Sequence, residues 1–154
     1  MTCALEHFTS LMAEIVLGDD EVLAGAHPKL AALWRWHAAE ENEHKSVAFD
    51  VYQAAGGNYV ERSLVMLHTT VMFWSLVFAH QITLMKHDGL ALSVREWAKL
   101  AHFLYVRPGG LRRIVLPYLR YFHPKFHPND IDSREVVLAW KKTFDEGAPL
   151  QPAA

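Results

Sequence analysis

The run from Asn58 to Asp88 contains neither glycine nor proline, and its middle is almost continuously apolar. Asn58 and Glu61 occupy the N-cap and N3 positions of a capping box. A long helix is therefore expected, from about Asn58 to His87, with Asp88-Gly89 as its stop. Residues 64–85 include Val65, Met66, Leu67, Val71, Phe73 and Phe78, and are apolar on every side. A helix of that kind is either a core helix or a membrane segment, and its length is about what a bilayer requires. His68, Thr69, Thr70, Ser75, His80 and Gln81 interrupt it, however, and polar groups are costly in a spanning helix. The expectation is a core or dimer-interface helix, with membrane contact left open. His68 and His80 are expected to be buried or interfacial rather than ligands.

The other breakers divide the chain into further helices. Residues 4–17 run unbroken to Gly18. His27-Pro28 opens a second helix, with Pro in the first turn, that continues to Gly56-Gly57. Ser93 and Glu96 form another capping box, ahead of a short amphipathic helix through Trp97, Leu100, Phe103 and Leu104. Residues 111–122 read as helix, with Pro117 expected to kink or end it. Arg112, Arg113 and Arg120 make this segment basic, which suits a solvated or anion-contacting surface better than a nucleic-acid site. The stretch 123–130, with two His-Pro pairs, reads as a turn-rich loop. Asp132 to Glu135 should cap a last helix through Trp140 and Phe144 that stops at Gly147. No strand and no repeat emerges. The expectation is one all-α domain over residues 1–147, with a disordered tail at 148–154.

Composition narrows function by exclusion. The 154 residues are 51% hydrophobic and carry a net charge of −2, which leaves no electrostatic case for nucleic acid. The single Cys3 excludes an internal disulfide framework and fits a reducing compartment. The first residues, with no basic run ahead of an apolar stretch, carry no expectation of a secretory signal. The expected location is cytoplasmic, with membrane association through residues 64–85 the open alternative.

The chemistry concentrates on the second helix. His37, Glu41 and His44 are spaced i, i+4, i+7, so they share one face within roughly 60°. Two imidazoles and a carboxylate on one stripe are a ligand set for a metal in a helical bundle, and Glu41-x-x-His44 is the i, i+3 pair of ferritin-like di-metal proteins. Trp34, Ala48, Val51 and Tyr52 extend the face, which is expected to be an apolar stripe where ionisable groups need a metal or partners. A buried His/Glu hydrogen-bond network is the plainer alternative. Glu40, adjacent, is the candidate base or alternative ligand. On the first helix, Glu6 lies on a face of small residues with Ser10 and Ala13, while Glu14 shares a side with His7. Either could supply a further carboxylate.

The string from His27 to Arg62, "HPKLAALWRWHAAEENEHKSVAFDVYQAAGGNYVER", together with "HPKFHPND" at 123–130, resembles the bacterial family of predicted metal-dependent hydrolases, from about Leu5 to Trp140. The pattern of His37, Glu41 and His44 is also similar to the last metal-binding helix of di-iron arylamine N-oxygenases. This resemblance implies a ferritin-like helical bundle of long antiparallel helices plus shorter C-terminal ones. It implies a divalent metal (iron, manganese or zinc) held by Glu6, His37, Glu41 and His44, and a small-molecule substrate of undefined class. Family members are longer and carry an earlier Glu and a second Glu-x-x-His, which are absent here. The chain thus resembles the C-terminal part of a member. It would complete a bundle as a homodimer, hold one metal weakly, or be inactive. Hydrolase, di-iron oxygenase and non-catalytic metal-binding or membrane-associated protein are the readings carried forward.

Overall fold

A computed structural model describes residues 1–146, and the tail expected at 148–154 lies outside the described residues. The described residues are all-helical: α1 (Thr2–Gly18), α2 (Pro28–His44), α3 (Val47–Ala54), α4 (Tyr59–His87), α5 (Val94–Tyr105), α6 (Gly110–Arg120) and α7 (Arg134–Glu146), with short 3-10 turns at Asp20–Leu23 and Pro128–Asp130. This is an all-α helical bundle.

The helix starts follow from capping. Asn58 accepts the Glu61 backbone N–H at 2.9 Å at the head of α4, and Ser93 does the same for Glu96 in α5. Asp132 accepts the Arg134 N–H at 3.0 Å where α7 begins. The left-handed Gly109 (φ +69°) turns the chain into α6, where an added Cβ would stand 2.8 Å from the Val106 carbonyl.

The helix expected to run unbroken from Pro28 to Gly56 is interrupted at Lys45-Ser46. Lys45 is the reason evident in the packing. Its buried ammonium donates to the Ile131 carbonyl and, at 2.9 Å, to Ser133 Oγ. The end of α2 is thereby tied to the start of α7. Pro117 does not end α6, which continues to Arg120.

α1 is the central element, and α1 with α2 is the most extensive helix pair. Ser10 and Ala13 on α1 and Ala31, Ala38 and Ala39 on α2 are all buried. Such small side chains let two backbones approach closely. On the other side of α1, Ala4 and Phe8 join Phe49, Met66, Tyr121 and Phe126 in the main apolar cluster. Arg62 is buried within it, its guanidinium over the Phe49, Tyr59, Tyr121 and Phe126 rings. It donates to the carbonyls of His123 (2.7 Å) and Phe126 (3.3 Å) and so clamps the loop 123–126 to α4.

α4 departs from its expectation as a core helix. It is long and apolar enough to cross a bilayer by length and composition, yet only 11% of its most apolar window is buried. His68 and His80 are both exposed, because α4 packs mainly through its N-terminal half, around Arg62, Met66 and Thr69.

Candidate metal centre

α1 and α2 bring three side chains together. Ligand atoms of Glu6, Glu41 and His44 all lie within 4.8 Å of one another. His44 Nδ1 is 3.2 Å from Glu6 Oε2, and His37 Nε2 is 3.4 Å from Glu41 Oε1. The group sits at one edge of the α1–α2 seam. The buried flank of α2, marked by Ala38 and Asn42, is rotated about a third of a turn from His37. The two carboxylates are consequently sheltered, with side chains 22% and 15% exposed for Glu6 and Glu41, while the imidazoles of His37 (49%) and His44 (44%) face the open side.

That openness corrects the expectation of an apolar stripe around the ligands. Trp34 and Val51 are more than half exposed. The break at Lys45-Ser46 ends the common face, and α1 covers only its flank. Trp34 does lie against the His37 ring, at 5.9 Å between centroids.

One member of the site was not singled out from the sequence. Thr9 on α1 donates its hydroxyl to Glu41 Oε2 at 2.5 Å. Positioned one turn after Glu6, it fixes the α2 carboxylate from the α1 side. The spacing Glu6-x-x-Thr9 on the small-residue face is the pattern that could have marked it.

Glu40 is half-buried and stands outside the group of converging ligand atoms. Glu14, the rival carboxylate, is placed elsewhere: burial raises its pKa, opposed by the charge of Lys45. It is a charge partner of that buried lysine. His7, beside Glu6, turns into the aromatic cluster at 5.0 Å from the Tyr121 ring. Burial lowers its pKa to about 4, against a backbone hydrogen bond at Pro117 that raises it, so the imidazole is neutral. In the 123–130 loop, His123 and His127 each accept a backbone N–H two residues on, and His127 Nε2 donates to Asp50 at 2.8 Å. Both are turn-forming side chains, and among the described residues neither joins a group of three converging ligand atoms.

The donor set suits a cation. Two carboxylates held this close repel one another, and with the His44 imidazole they offer a cation three hard or borderline donors. Iron, manganese and zinc accept such ligands, at about 2.0–2.2 Å for zinc. Ligands around one ion would then lie up to about 4 Å apart, so small side-chain rotations close the group around it. A family model described as predicted metal-dependent hydrolase matches residues 1–132. Among curated proteins and solved structures nothing matches the chain.

Proposed function

The chain belongs to the family of predicted metal-dependent hydrolases, and from that premise we propose that Glu6, Glu41 and His44 hold a catalytic divalent metal for hydrolysis of a small molecule, with His37 as the fourth ligand. The observation that carries this reading is the convergence of three ligand atoms from two helices. The mixed His/carboxylate set is of the ferritin-like kind. When bound, the metal lowers the pKa of a coordinated water and polarises the substrate. The chain's own residues orient the ligands and accept a proton. Thr9 holds Glu41 by its Oε2, leaving Oε1 toward His37. Glu40, half-buried and adjacent to Glu41 on α2, would be the base that takes the proton from water. The exposed imidazole edge is the side from which substrate enters.

The test is metal content. Purified protein should carry about one ion per chain, reduced by at least tenfold in both Glu41→Ala and His44→Ala. Metal at a hundredfold its Kd should also stabilise the wild type by about 2.7 kcal/mol, with no effect on the two variants. A folded, metal-free wild type that gains no stability from iron, manganese or zinc would overturn the reading. Mixed ligation also suits iron and oxygen activation; turnover that stops when oxygen is removed would replace hydrolysis with that reaction.

A further inference from the structure

The net charge of −2 conceals a polarity along the chain. Residues 1–57 hold three Lys/Arg against nine Asp/Glu, whereas residues 86–125 hold eight Lys/Arg against two Asp/Glu. Three of those eight cations are paired, Lys99 with Glu96, Arg107 with Glu21 and Arg113 with Asp19. Lys86, Arg95, Arg112, Arg120 and Lys125 have no carboxylate partner in the described residues, and all five are exposed.

The same segment leaves its apolar side chains in water. No residue of α5 is buried, and in α6 only Ile114 is. Leu92 is 97% exposed, Val94 81% and Leu116 72%, and Val106, Val115 and Leu119 are each more than half exposed. On α6 the periodicity puts Ile114 and Tyr118 on the inward side and Val115, Leu119, Arg112, Leu116 and Arg120 around the outward arc. The outer face thus interleaves large aliphatic side chains with unpaired guanidinium groups.

We propose that the outer face of α5 and α6, from Lys86 to Lys125, docks on the surface of an anionic lipid bilayer. Such an interface accepts both halves of the pattern at once. Leu116 and Leu119 enter the acyl boundary, and the long stems of Arg112 and Arg120 extend so that their heads reach lipid phosphates. The charge pattern argues against other occupants. A two-fold-related copy would set this cationic face against itself, and a nucleic acid would leave the interleaved leucines without an apolar partner. The inference stands apart from the metal centre, whose ligands lie on α1 and α2.

The full chain is mixed with vesicles of phosphatidylcholine alone or with about a third phosphatidylglycerol, and sedimented. Binding is expected with the anionic vesicles, and at least tenfold less with the neutral ones or in molar salt. Leu116→Asp with Leu119→Asp, and separately Arg112→Glu with Arg120→Glu, should each lower binding at least tenfold while helicity and metal content stay at wild-type values. Equal recovery of the wild type in the supernatant with both vesicle types overturns the proposal. So does undiminished binding by both folded variants, and so does a solution dimer whose protected surface includes residues 86–125. Inorganic phosphate that competes fully at millimolar concentration would show a free-anion site and overturns it as well.

Discussion

Thr9 is a small residue with a large expected effect, because a metal ligand is only as good as the group that orients it. Its hydroxyl reaches Glu41 across the α1–α2 seam at 2.5 Å. Thr9→Val keeps the shape and deletes the donor, freeing the Glu41 carboxylate to rotate. Metal affinity should fall about ten- to a hundredfold, whereas Thr9→Ser should stay near wild type. Titration calorimetry with manganese or zinc reads both, and a Thr9→Val protein that binds as tightly as Thr9→Ser would remove Thr9 from the site. A second residue-scale prediction concerns Tyr121. Burial pushes its phenol well above the ordinary value of 10.0. Between pH 10 and that raised value the unfolded chain releases the proton and the folded chain keeps it, so stability is full below about pH 10 and falls as pH rises. Tyr121→Phe keeps the ring contacts with His7 and Phe126. It should leave neutral-pH stability almost unchanged and flatten the alkaline loss in denaturant titrations; an unchanged alkaline slope would exclude Tyr121 as its source.

Several helix boundaries were legible because they are written locally, in Asn58 with Glu61, Ser93 with Glu96, and Gly18, Gly56 and Gly89 at or just past the ends of α1, α3 and α4. The break inside Pro28–Gly56 was not. It depends on Lys45 meeting Ile131 and Ser133, 86 and 88 residues away, and no short-range pattern encodes such a contact. The site divides in the same way. The His37-Glu41-His44 spacing was visible on one helix. The choice between Glu6 and Glu14 needed the packing of α1 on α2, and Thr9 could be identified only once that packing was known. α3 illustrates how little helix propensity settles at this scale. It is eight residues long, too short to persist alone, and is held by Phe49. That ring is 1% exposed and lies edge-on to Phe126 and His127. Phe49→Ala should therefore cost about 3–5 kcal/mol and detach α3 from the loop 123–130. Urea melts give the loss directly, and a cost under about 1 kcal/mol would mean that α3 does not depend on this anchor.

At the scale of the molecule, the long α4 is the unresolved excess of apolar surface, and its pattern carries more information than its mean hydropathy. Val60, Leu64, Leu67, Val71, Phe78 and Ile82 are all exposed and recur at steps of four, three, four, seven and four. This is the seam periodicity by which one helix packs along another. Two antiparallel copies would meet along this seam through its apolar residues. Such an interface is self-complementary and closes at two chains. The expected outcome is a sedimentation mass about twice the 17.6 kDa chain at micromolar concentration. Leu67→Lys with Val71→Lys should return a monomer with unchanged helicity, because neither side chain belongs to the buried cluster. A monodisperse wild-type monomer, or a double variant that remains a dimer, would remove the α4 seam as the interface. The metal stoichiometry of the dimer then bears on the site. With a single Glu-x-x-His per chain, ions that remain bound in the Leu67→Lys, Val71→Lys monomer belong to a centre complete within one α1–α2 pair. Ions lost on dissociation would place ligands from two copies around a shared centre.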